Sequence, residues 1–96
     1  MREFCLLCTL KHLGQAHVLM DEAMLGYPSH KWLAIGHLAE AESECLRCCY
    51  TLARTIRRHR IQYEETNECD IMSLINLVNS KMLEMEHEGK TNKKRK

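Results

Sequence analysis

Apolar residues recur along this chain at steps of three and four, the period of one face of an α-helix. From Glu3 to Leu25 the series Leu6, Leu10, Leu13, Met20 and Met24 predicts a first amphipathic helix. The segment Gly26-Tyr27-Pro28-Ser29 then stops it: glycine accepts a left-handed cap, proline cannot continue a helix, and Ser29 is placed to cap the next one. A second series, Ile35, Leu38, Cys45, Cys49, Leu52 and Ile56, begins near His30 and continues to about Tyr63, which predicts the longest helix of the chain. A third helix, capped by Asn67 or Thr66, carries Ile71, Leu74, Val78, Met82 and Met85 on one face and ends near Gly89. The expected fold class is all-α, an antiparallel helical hairpin plus a third helix in a small bundle.

A turn of about four residues makes the first two helices antiparallel neighbours, with facing residue numbers that sum to about 55. That register sets Cys5 and Cys8 against Cys49 and Cys48, and His17 against His37 or Leu38. The unusual side chains therefore collect at two levels of one hairpin.

Composition narrows this picture without naming a function. Ninety-six residues with 45% hydrophobic content are enough for one core, and one proline, four glycines and few β-branched residues favour helices. Residues 1–89 are expected to form the single domain. No apolar run approaches the roughly 18 residues of a membrane span, and Met1-Arg2-Glu3-Phe4 lacks a signal-peptide pattern, so a cytoplasmic protein is expected. The net charge of +1 hides an asymmetry. Lys90, Lys93, Lys94, Arg95 and Lys96 leave nine cationic against thirteen acidic side chains in the body, a net of −4. Residues 90–96 read as a disordered basic tail, capable at most of weak polyanion contact, while the acidic body argues against a dedicated nucleic-acid-binding domain.

Two chemistries compete at the cysteine level. Cys5, Cys8 and His12 share one helix face at i, i+3 and i+7, and Cys45, Cys48 and Cys49 supply the opposite wall. Cys5, Cys8, Cys45 and Cys48 are thus candidate ligands for Zn²⁺. Their position on helices, rather than on the knuckles that usually present zinc ligands, favours reduced cysteines that simply pack in the core. A disulfide between the helices is disfavoured in the cytosol.

Elsewhere the residues point to ligand binding. Lys11, His12, Gln15, His17 and His37 offer donors to a base, ribose or phosphate. Gly14 and Gly36 sit mid-helix, where each costs about 1 kcal/mol relative to alanine, so they either let helices approach closely or leave space for a ligand. Arg54, Arg57 and Arg58 share one face near the expected end of the second helix, beside His59 and Arg60. Some of that charge complements a negative helix end; the surplus makes the best anion site in the sequence. On one continuous helix His37 and Arg57 lie about 30 Å apart, so a ligand would reach both sets only across a subunit boundary. Leu7, Val18, Leu19, Leu25, Ile75 and Leu77 exceed one apolar stripe and predict a symmetric homo-oligomer.

Catalytic motifs are lacking. His37-x2-Glu40 and Glu40-x3-Glu44 resemble, superficially, the metal-binding helices of helical nucleotide pyrophosphohydrolases, but the first helix offers only Asp21 and Glu22 instead of paired carboxylate motifs. No Ser-His-Asp order, glycine-rich phosphate loop or His-Glu-x2-His motif appears, which argues against an enzyme and leaves a metal-dependent phosphohydrolase as the last alternative.

Taken together, Cys5-x2-Cys8, Lys11-His12-Leu13-Gly14-Gln15-Ala16, Gly26-Tyr27-Pro28-x-His30 and Gly36-His37-Leu38-Ala39-Glu40-Ala41-Glu42-x-Glu44 resemble a group of small phage and mobile-element helical proteins, over about residues 5–49. The resemblance implies the cytoplasm of a host cell and a role in binding a host factor or, as an oligomeric sponge, in sequestering a nucleotide immune signal. The leading expectation is a non-enzymatic homo-oligomer that binds a phosphorylated or nucleotide-like small molecule. A zinc-stabilised protein-interaction module is the alternative.

Overall fold

A computed structural model describes the backbone of residues 2–94 and the side chains of residues 5–86. The described residues are all-α, with four helices in place of the expected three: α1 (Arg2–Met24), α2 (His30–Leu46), α3 (Tyr50–Thr66) and α4 (Ile71–Lys94). Short connections send them alternately up and down. α2 makes its widest contact with α1 and its next with α3, while α4 lies against α1 and touches α3 only slightly. Leu6, Leu13, Leu38, Ile56, Leu74 and Val78, drawn from all four helices, are fully buried.

The expected long second helix is broken at Arg47-Cys48-Cys49. Cys49 is extended, at φ −150° and ψ 93°, and the Cys48 and Cys49 amides both donate to the Cys45 carbonyl. Neither glycine nor proline marks this break. Its cause is burial: one straight helix from His30 to Thr66 would run about 55 Å, well past the roughly 35 Å of α1, and would strand Leu52, Ile56 and Tyr63 beyond the core. Folding back buries all three. The reversal also clamps α3 to α2. Lys31 Nζ donates to the Glu64 carbonyl at 3.0 Å and to the Asn67 side chain, at the negative end of α3, and Arg60 pairs with Glu42 at 3.5 Å and Glu64 at 3.1 Å.

Helix ends also depart from expectation. α1 does stop at Gly26, whose φ is +123°, with the Leu25 and Tyr27 amides returning to the Asp21 and Glu22 carbonyls. Ser29, however, makes no side-chain cap; the Tyr27 and Pro28 carbonyls receive the first amides of α2, and Glu22 holds His30 at 2.9 Å. Asn67 closes α3 in the left-handed region, at φ 63°, and Asp70 instead caps α4 by accepting from the Ser73 amide and hydroxyl. That pairing holds the Asp70 carboxyl below its ordinary pKa. The backbone of α4 continues past Gly89 to Lys94. Side chains of the basic tail, and Arg95 and Lys96 altogether, lie outside the described residues.

Candidate functional site

Facing positions of α1 and α2 sum to about 50, not 55. Thr9 Oγ1 reaches the Ala41 carbonyl at 3.5 Å, and His12 Nδ1 meets His37 Nδ1 at 3.1 Å. The difference comes from the turn, which folds back on α1 and lets its last residues overhang the start of α2. His37 consequently pairs with His12 instead of His17. Their rings are 5.4 Å apart and tilted by 30°, each about a quarter exposed at the side chain. Glu40, one turn after His37, brings Oε1 to 3.8 Å from His37 Nδ1 and Oε2 to 3.9 Å from His12 Nε2. Among the described residues, His12, His37 and Glu40 are the one group of three potential metal ligands with donor atoms within 4.8 Å of one another.

The cysteines are gathered differently from the expected zinc set. Cys5, Cys45, Cys48 and Cys49 adjoin at the far end of the hairpin, close enough to influence one another's protonation. Cys8 is half-buried one turn before His12, on the His12 face. Burial, aided by neighbouring Cys48 and Cys49, pushes the Cys45 thiol up to about 12, and burial likewise raises Cys48. Cys45 and Cys48 donate to the Cys49 and Cys45 carbonyls at 3.5 and 3.6 Å. These are the marks of protonated core thiols, and Cys5, Cys8, Cys45 and Cys48 do not converge on one point among the described residues.

Around the histidine pair, Lys11, Gly14, Gln15, Val18, Leu19 and His37 line a shallow depression of about 470 Å³. A Cβ built on Gly14 or Gly36 meets nothing within 4 Å, so neither glycine serves close packing of α1 against α2. His17 stands apart, half-buried in a separate depression of about 320 Å³ with Met20, Tyr63, Cys69 and Ile71, and its Nδ1 is buried without a partner. The donor set expected on one face is therefore split: Lys11, His12, Gln15 and His37 together, His17 elsewhere.

The arginines change meaning with the helix break. Arg54 lies in the second turn of α3, close to the positive end of a helix whose N-terminus has no side-chain cap. A cation there opposes the helix dipole instead of complementing it. Its guanidinium lies over the Tyr50 ring at 5.8 Å, Arg58 donates to Thr55 at 3.3 Å, and Tyr50, Thr51, Arg54, Thr55 and Arg58 surround a depression of about 330 Å³. Arg54, Arg57 and Arg58 are exposed and have no carboxylate partner among the described residues, whereas Arg60 has two. Because α3 returns along α2, Arg57 stands beside the second half of α2. The 30 Å separation from His37 that a continuous helix would impose does not apply.

No protein-family model, curated protein or solved structure matches this chain. Among the described residues no helix is long and apolar enough to cross a membrane.

Proposed function

We propose that the chain is a non-catalytic, homo-oligomeric binding protein that sequesters a phosphorylated, nucleotide-like small molecule, with the arginine face of α3 as the phosphate subsite. The observation that carries this reading is Arg54 and Arg58 beside the uncapped first turn of α3. The side chains of Arg54, Arg58, Thr51 and Thr55 line one depression near a helix N-terminus without a side-chain cap, and the dipole there favours an anion over the cations that line it. Tyr50 adds an aromatic face for a base. The volume, about 330 Å³, suits a phosphate-bearing fragment and leaves the rest of a ligand to a neighbouring surface.

Oligomerisation is supported by the exposed apolar tip of the α1/α2 hairpin. Met24, Leu25, Tyr27 and Trp32 are 84%, 80%, 60% and 65% exposed, a concentration that monomers seldom leave in water. The alternative, a zinc-stabilised interaction module built on Cys5, Cys8, Cys45 and Cys48, is weakened because these four sulfurs do not gather within 4.8 Å of one another among the described residues. The phosphohydrolase reading finds His12, not a second carboxylate pair, opposite His37 and Glu40.

Calorimetric titration with linear and cyclic nucleotides tests the proposal. Arg54→Ala with Arg58→Ala should weaken binding by at least about tenfold, a loss of roughly 1.4 kcal/mol, with helicity and mass unchanged. Equal affinity of parent and variant, or no binding of any nucleotide by the parent, would leave the interaction module standing.

A further inference from the structure

We propose that His12, His37 and Glu40 form a binding site for a divalent first-row transition metal, distinct from the cysteine cluster and from the arginine face. Three features of the geometry converge on it. The two Nδ1 atoms are 3.1 Å apart. Two nitrogens bound to one tetrahedral Zn²⁺ at 2.0–2.1 Å would stand about 3.3 Å apart, so the imidazoles already hold nearly the spacing that a shared ion imposes. Glu40 Oε1, 3.8 Å from His37 Nδ1, needs to close by only about half an ångström to join the same figure; Oε2 stands 3.9 Å from His12 Nε2, the ring nitrogen turned away from His37, and one donor atom from each of the three residues lies within 4.8 Å of the others. Glu40 has the freedom to do so, because its side chain is 60% exposed.

The ligands are also held in place. His12 comes from α1 and His37 and Glu40 from one face of α2, at i and i+3, in the most closely packed pair of helices. Thr9, one turn before His12, is fully buried with its hydroxyl donating to the Cys5 carbonyl at 2.9 Å and packed 3.5 Å from the Ala41 carbonyl next to Glu40, so close packing holds the register on which the convergence depends. Packing alone gives no reason to aim two partly exposed imidazole nitrogens at each other. Without an ion they share a single hydrogen bond, one ring donating and the other accepting.

Donor chemistry sets the class of ion. Two imidazoles and one carboxylate suit Zn²⁺, Co²⁺, Ni²⁺, Cu²⁺ or Fe²⁺, whereas Mg²⁺ and Ca²⁺ prefer all-oxygen shells. Three protein ligands leave at least one position for water or an anionic donor. The adjoining depression, which His37 shares with Lys11 and Gln15, gives such a donor room and a positive charge.

Cobalt titration of the whole chain under reducing conditions, read by visible absorption, tests this. One equivalent of Co²⁺ should produce d–d bands without the near-ultraviolet charge-transfer band of thiolate ligation. His37→Asn and Glu40→Gln should each weaken binding at least about tenfold, since even outer-sphere changes at metal sites cost 10- to 100-fold. Cys5→Ser combined with Cys48→Ser should leave the titration unchanged. A parent that binds no cobalt, unchanged affinity in His37→Asn, or a charge-transfer band abolished by the cysteine changes would overturn the site. If His37→Asn lost helicity, the exposed Glu40→Gln variant would decide alone, unchanged affinity there refuting the proposal.

Discussion

Two levels of the α1/α2 hairpin, about two helical turns apart, hold unusual side chains in opposite ways. At the cysteine level, Cys45 is fully buried, its neighbours Cys5, Cys48 and Cys49 are half-buried, and burial drives the Cys45 thiol pKa up to about 12. At the histidine level, His12, His37 and Glu40 keep partial access to water and aim their polar atoms at one another across the helices. Metal-binding residue types by themselves therefore do not mark a metal site. Burial that suppresses ionisation turns thiols into core, and partial exposure with convergent lone pairs keeps imidazoles available.

The largest effect expected from this contrast is alkaline. Thiols of the unfolded chain lose their protons near 9, while folded Cys45 holds its proton to about 12 and Cys69, also raised by burial, to about 11. Inside that window the unfolded state binds fewer protons than the folded one. Stability is fully present below pH 9 and falls as pH rises, by about 1.4 kcal/mol per pH unit for each such thiol. Urea unfolding at stepped pH should show the decline, and Cys45→Ala should flatten it. An identical pH slope in the variant would mean that Cys45 ionises as freely folded as unfolded, and the core reading would fail.

Substitution at the two levels gives a smaller but more direct contrast. Cys45→Ser places a hydroxyl in a fully buried position and should cost about 1–3 kcal/mol in denaturant unfolding. His37→Asn, at a half-buried position, should cost less in the same assay. The reverse order would assign the histidine pair to the scaffold and the cysteines to the surface chemistry.

Much of this arrangement was legible along the chain, and the exceptions have physical causes. Leu6, Leu13, Leu38, Ile56, Leu74 and Val78 lie in the core because three- and four-residue spacing carries burial directly. The break at Arg47-Cys48-Cys49 leaves no trace in that spacing. Cys45 and Leu52 are one heptad apart, so the stripe keeps its phase on both sides and reads as one helix. From that single omission came the misplacement of Arg54 at a negative helix end. The second exception is register. His37-x2-Glu40 could be seen in sequence as an i, i+3 pair, but its partner on α1 depends on how far the turn folds back, which is settled by the Leu25 and Tyr27 amides returning to α1. A shift of five in the facing sum exchanged His17 for His12.

The smallest effect concerns the two glycines beside the histidine level. Gly14 and Gly36 occupy helix interiors, and a Cβ on either meets nothing within 4 Å, so nothing inside one chain accounts for the roughly 1 kcal/mol each costs relative to alanine. Their residue numbers sum to 50, which sets them at one level of the hairpin; Gly14 lines the depression beside His37 with Val18 and Leu19, and Gly36 is exposed. A shallow depression lined by Gly14, Gln15 and Val18, and an exposed stretch at Gly36, leave room for a second helix or a flat ligand. Gly14→Ala and Gly36→Ala should each raise the stability of dilute protein by up to about 1 kcal/mol while weakening self-association in sedimentation velocity. A gain in stability with unchanged mass distribution would free this face from the oligomer and leave it to a small ligand. Loss of stability in dilute solution would show that the missing side chains serve the fold itself.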